Sequence, residues 1–77
     1  MHQDYMLTIR ELFLLNNGVV CGAETQVAIL DEGIEVDRVV FSGKCERYQR
    51  RYSGKPGLKA KIASGPGRIT MDAILLV

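Results

Sequence analysis

Residues 27–36 read Val27-Ala28-Ile29-Leu30-Asp31-Glu32-Gly33-Ile34-Glu35-Val36, two aliphatic runs either side of a short polar break. Glycine reaches positive φ without steric cost, so Asp31-Glu32-Gly33 predicts a short hairpin loop with Gly33 in the left-handed position. Downstream, Ile34, Val36 and Val40 alternate with Glu35, Asp37 and Val39, and β-branched side chains dominate. Residues 34–41 therefore read as a strand.

Similar punctuation recurs outward from this hairpin. Asn16-Asn17-Gly18, Ser42-Gly43, Ser53-Gly54-Lys55-Pro56-Gly57 and Ser64-Gly65-Pro66-Gly67 are turn clusters, because glycine supplies left-handed conformations and proline fixes φ at a corner. They recur about every ten residues, the rhythm of a sheet built from hairpins. Leu58, Ala60 and Ile62 alternate with Lys59 and Lys61, giving one apolar and one cationic face. In 68–77, Ile69, Met71, Ala73, Leu75 and Val77 fall on one side. Thr70, Asp72, Ile74 and Leu76 fall on the other, so that segment's end is expected to be covered on both faces. The fold class predicted is all-β: a small antiparallel β-barrel or sandwich of five to six strands, forming one domain over 1–77.

Segment 6–15 supports two readings. At period two, TIRELFLLNNG is a strand. At helical period, Met6, Ile9, Leu12 and Phe13 share a stripe, Thr8 and Glu11 have capping-box spacing, and Asn17-Gly18 would end the helix. A strand containing one tight turn is the reading adopted.

The totals set limits. Seventy-seven residues make one domain with a thin core, and five aromatics without tryptophan leave Val, Ile, Leu and Met to fill it. No apolar run reaches the roughly 18 residues of a spanning helix. The opening MHQDYMLTIRELFLL has an acid at Asp4 and neither a basic n-region nor a small-residue cleavage site, which predicts no signal peptide. Cys21 and Cys45 are then expected to be reduced, partly buried thiols in a cytoplasmic protein, with no membrane partner.

A net charge of +1 conceals a division. Residues 1–43 carry two arginines against seven acids, whereas 44–61 carry seven of the ten cations against Glu46 alone. In that basic stretch, Lys44, Arg47, Arg50, Arg51, Lys55, Lys59 and Lys61 could neutralise several phosphates, with steep salt dependence. Tyr48, Arg50 and Tyr52 share one face of an extended strand, so both tyrosines could offer rings on which bases stack. Other readings are an acidic protein partner, self-association through complementary acidic and basic surfaces, and a merely solvated face whose tyrosines pack under Arg and Lys stems.

The first 43 residues carry a resemblance. YMLTIRELFLL, NNGVVCGAET and EGIEVDRVVFSG together are similar to the opening of the second domain of translational GTPases such as elongation factor Tu. Leu12-Phe13 would stand for that family's apolar pair, Gly18-Val19-Val20-Cys21-Gly22 for its Gly-x-Val-Val-x-Gly strand, and Gly33 through Gly43 for its glycine-led strand. The loop after the family's first strand is longer. Its closing Gly-Asp/Glu-x-Val/Ile segment is replaced here by Gly65-Pro66-Gly67-Arg68-Ile69. The resemblance implies a closed β-barrel and an adaptor role beside RNA or a larger protein, without GTP hydrolysis.

Other chemistries lack their parts. Gly54-Lys55 suggests a phosphate loop, but Gln49 stands where the first glycine is required and Pro56-Gly57 replaces the following helix. Gly65-Pro66-Gly67 reads as a bend. Cys21, Cys45 and the single histidine, His2, do not make the four grouped ligands of a zinc site. A nucleophile would find no histidine base inside the fold. The expected function is non-catalytic binding without cofactor or metal, most directly of nucleic acid with RNA favoured. The expected contacts are Arg47, Tyr48, Arg50, Arg51, Tyr52, Lys55, Lys59 and Lys61.

Overall fold

The computed structural model describes residues 2–75, within which the turn clusters divide the chain into strands without any helix. The strands are β1 (Gln3–Leu12), β2 (Leu14–Asn16), β3 (Val19–Cys21), β4 (Ala23–Asp31), β5 (Ile34–Gly43), β6 (Cys45–Gly54), β7 (Lys59–Ser64) and β8 (Arg68–Ala73). Two three-stranded antiparallel sheets, ordered β6-β1-β8 and β5-β4-β7, form a sandwich, and β2-β3 stands as a separate two-stranded ribbon. Among the described residues no ladder joins the two larger sheets, which therefore face each other as the layers of a sandwich.

Alternation explains the core. Tyr5, Leu7 and Ile9 project from one face of β1, and Thr25, Val27 and Ile29 from one face of β4; all six are buried. Leu12, Val39, Phe41 and Leu58 complete the apolar cluster, with Ala60, Ile62, Ile69 and Met71 packed at its margin. Burying a Val, Leu, Ile or Phe side chain contributes about 1.5–3 kcal/mol, so the two central strands carry much of the stability.

The period-two pattern of 34–41 does not run through unbroken. Ile29 pairs with Asp37 but Leu30 with Glu35, leaving Val36 as the extra residue of a β-bulge. Val39 and Phe41 enter the core, while Ile34, Val36 and Val40 stay exposed. Glu35 and Asp37 accordingly take different partners. Glu35 receives two hydrogen bonds from Arg38, and Asp37 accepts one from Tyr52.

Segment 6–15 is extended with one tight turn. Glu11 adopts φ 58°, and the Phe13 amide donates to the Glu11 carbonyl over 3.0 Å, which turns the chain out of β1 and into β2. Asn17 and Gly18 have φ of 52° and 78°, and Glu32 and Gly33 have 51° and 84°. Two successive positive-φ residues are what a two-residue hairpin of matching twist requires. At the other end, β8 stops at Ala73 and Leu75 is exposed, so the expectation of a terminal segment covered on both faces fails there. Leu76 and Val77 lie outside the described residues.

Loops between the sheets are pinned by polar contacts. The Tyr5 hydroxyl donates to the Lys55 carbonyl at 2.7 Å and accepts from the Leu58 amide at 3.2 Å, fixing the β6–β7 crossing over the core. The β7–β8 crossing is tied by a 2.5 Å hydrogen bond from Thr25 Oγ1 to the Pro66 carbonyl. A Cβ at Gly67 would come within 2.7 Å of the Arg10 carbonyl, so glycine there lets the start of β8 close onto β1.

Candidate functional site

Strand geometry sorts the basic stretch onto two faces. In the β1–β6 ladder, Tyr52 pairs with Tyr5, Arg50 with Leu7 and Tyr48 with Ile9. Because Tyr5, Leu7 and Ile9 face the core, Tyr48, Arg50 and Tyr52 share that inner face, at the margin where β6 overhangs β5. They do share a face, as the period implies; it lies on the side of the opposite sheet, yet Tyr48 is 50% exposed, Arg50 is exposed and only Tyr52 is half-buried. Tyr48 packs edge-on against Phe41, with ring centroids 6.0 Å apart and planes at 78°. Tyr52 donates to Asp37 Oδ2 at 2.6 Å. Burial first and this carboxylate second push the Tyr52 phenol up to about 12.

Beside Tyr48, a cleft of about 290 Å³ is bordered by Leu12, Val40, Phe41, Ser42, Cys45 and Arg50. Cys21 and Cys45 are free, half-buried thiols. Among the described residues no group of three His, Cys, Asp or Glu side chains comes together as a metal cluster.

The remaining cations of the predicted set point elsewhere. Arg47 and Arg51 belong to the outer face of the β6-β1-β8 sheet, opposite Arg10 and Met6. Lys59 and Lys61 lie on the outer face of the other sheet, opposite Leu30 and Ala28. Lys55 is engaged: its ammonium donates to Asp31 Oδ2 at 2.6 Å, and that hydrogen bond raises its pKa. The eight predicted residues therefore do not make one surface. Arg47 and Arg51 stand together, Tyr48, Arg50 and Tyr52 stand together, and the lysines belong to neither group.

Two arginines outside the basic stretch join Arg47. Arg10 on β1 pairs with Arg47 on one side and with Arg68 on the other, so three guanidinium side chains form a row across three adjacent strands. Neighbouring strands lie about 4.8 Å apart, and like charges placed directly opposite destabilise a sheet. Compensation is incomplete. Glu11 reaches Arg68 at 3.4 Å, while Arg10 and Arg47 have no carboxylate at ion-pair distance among the described residues. The three arginines, with Glu11, Phe13 and Glu46, border an open cleft of about 460 Å³. Gln49 donates to Thr8 Oγ1 at 3.2 Å on the same face, and Thr70 lies opposite Thr8 on β8.

Sequence reasoning missed Arg10 and Arg68 because each stands apart from the basic run. The one local signal was the Gly65-Pro66-Gly67 bend. It does more than turn the chain: Gly67 brings β8 against β1 and sets Arg68 beside Arg10.

The chain matches no protein-family model, no curated protein and no solved structure. Its functional reading rests on the geometry above.

Proposed function

We propose that this domain is a non-catalytic module that binds nucleic acid, with RNA as the favoured ligand, on the outer face of the β6-β1-β8 sheet. The observation that carries the reading is the row Arg47–Arg10–Arg68, with Arg51 further along the same face of β6. A phosphodiester chain laid across the row would relieve the repulsion among guanidinium groups and release counterions. Guanidinium forks grip phosphate oxygens in bidentate fashion and offer planar faces to unstacked bases. Stacking on Tyr48 and Tyr52 has no part in this version: Tyr52 is half-buried and bonded to Asp37, and Tyr48, although half exposed, lies on the opposite face of β6 from the arginine row. Single-stranded RNA is favoured because its unstacked bases can lie on the guanidinium planes while its phosphates meet the forks.

The test is binding of a labelled single-stranded RNA, followed by fluorescence polarisation at rising salt. Affinity is expected to fall linearly on a log–log plot. Arg10→Gln with Arg47→Gln should weaken binding and flatten the slope by roughly one for each phosphate no longer neutralised. Both arginines are exposed, so the double variant should keep the wild-type circular dichroism. Unchanged affinity and slope in that variant would remove the row as the site.

A further inference from the structure

Among the described residues the β2–β3 ribbon has no ladder to either larger sheet, and from Phe13 through Ala23 the chain carries no charge. Leu14, Leu15, Val19 and Val20 are 51%, 67%, 61% and 43% exposed. Register puts Leu15 opposite Val20, and Leu14 and Asn16 opposite Cys21 and Val19, so aliphatic side chains lie on both faces of the ribbon. An isolated two-stranded ribbon is marginal in water, and apolar side chains on both faces add to what needs covering. The turn at its tip is polar, Asn16-Asn17-Gly18, which suits a ribbon laid along a groove with its tip in solvent.

An unpaired strand edge that could receive it lies on the same chain. β5 is an edge strand with one side of its backbone unpaired. At the level of Val40 and Phe41 its edge carries apolar surface: Val40 is 46% exposed, and Val40 and Phe41 both border the cleft beside Tyr48, with Ser42 and Arg50 at its rim. No residue of the ribbon borders that cleft. A strand added along β5 would satisfy backbone groups and lay its aliphatic side chains against Val40 and the cleft that Val40 borders.

We infer that the ribbon is a dimerisation arm: the β2–β3 arm of one copy adds to the β5 edge of a second copy, reciprocally about a two-fold axis. Arm and receptor occur on one chain, and two-fold exchange uses both twice. A standard interface buries about 800 Å² per partner over about 20–30 residues, so the arm and the few β5 residues that its three-residue strands can span would bury roughly 400 Å² on each copy, the size of a weak, concentration-dependent pair. The inference is independent of nucleic-acid binding, since the arginine row takes no part in it.

Sedimentation equilibrium over a wide concentration range tests it, with Leu15→Glu as arm variant and Val40→Glu as receptor variant. Both positions are exposed, so each variant should retain the wild-type circular dichroism and, at concentrations where all three are monomeric, the wild-type thermal midpoint. The wild type is expected to form dimers, and each variant to associate at least about tenfold more weakly, because a buried unpaired carboxylate costs more than the ~1.4 kcal/mol of a tenfold change. An equimolar mixture of the two variants keeps one intact joint, that of the Val40→Glu arm on the Leu15→Glu receptor, and should associate more strongly than either alone. A monomeric wild type at all concentrations would overturn the inference. Full association of Val40→Glu would do so as well, since arms pairing with arms, or another partner, would then cover the ribbon.

Discussion

Tyr52 on β6 and Asp37 on β5 are joined by a 2.6 Å hydrogen bond, a direct polar link between the edge strands of opposite sheets. The tyrosine hydroxyl holds the Asp37 carboxyl below its usual range, with help from the Arg38 amide. Burial and the same carboxylate push the tyrosine up to about 12. A tyrosine with a raised folded-state pKa binds its proton more tightly in the native state. Its contribution is whole below the ordinary value near 10 and is lost as pH rises through about 12. Asp37, with a lowered pKa, contributes above the ordinary carboxylate range and loses that contribution as pH falls through its folded value. Tyr52→Phe should therefore lose stability at neutral pH, and the gap to wild type should shrink at both extremes. Urea midpoints of the two proteins across the pH range check this. A gap independent of pH would show that the link is not the cause.

Tyr5 gives a prediction about the β6–β7 crossing. Its hydroxyl serves both the Lys55 carbonyl and the Leu58 amide at the edge of the core. Tyr5→Phe keeps the ring but strands both backbone groups, at a cost of about 1–3 kcal/mol. Denaturant unfolding should show a lower midpoint with an unchanged m-value.

Two glycines with similar backbone angles should respond differently to alanine. Gly18, at φ 78°, has open space around an added Cβ. Gly18→Ala should cost only the left-handed strain of about 1–2 kcal/mol. Gly65, at φ 94°, would press a Cβ into the Glu24 carbonyl oxygen and within 2.8 Å of Thr25 Cα. Overpacking then adds about 1–3 kcal/mol, so Gly65→Ala should be the more destabilising, measured by thermal midpoint. Equal destabilisation would mean that the crossing loop yields freely.

The bulge at Val36 is tested by adjacent valines. Val39 is 6% exposed and Val40 is 46% exposed. Val39→Ala should destabilise by about 2 kcal/mol, and Val40→Ala by less than about 0.5 kcal/mol in the monomer. The reverse order in unfolding experiments would mean that β5 pairs in the other register.

Much of this architecture is legible in the chain. Alternating β-branched residues and turn clusters predict the all-β class and a hairpin loop at Asp31-Glu32-Gly33, which the structure narrows to Glu32-Gly33 because Asp31 still pairs with Ile34. The strand reading of 6–15 with one tight turn matches the φ of Glu11 and the Phe13–Glu11 hydrogen bond. The inward face of 34–41 was hidden, because a bulge inserts one residue and shifts the period without a local sequence signal.

Local pattern fixes what each residue does within its own strand: conformation, alternation and where the backbone reverses. Those depend on side-chain shape and on φ within a few neighbours, so Tyr48, Arg50 and Tyr52 were bound to share a face. Tertiary structure alone decided that this face lies on the side of the opposite sheet, and that Arg10, Arg47 and Arg68, separated by up to 58 residues, line up across three strands. Strand neighbours are chosen by which apolar faces bury together, and that choice belongs to the whole core.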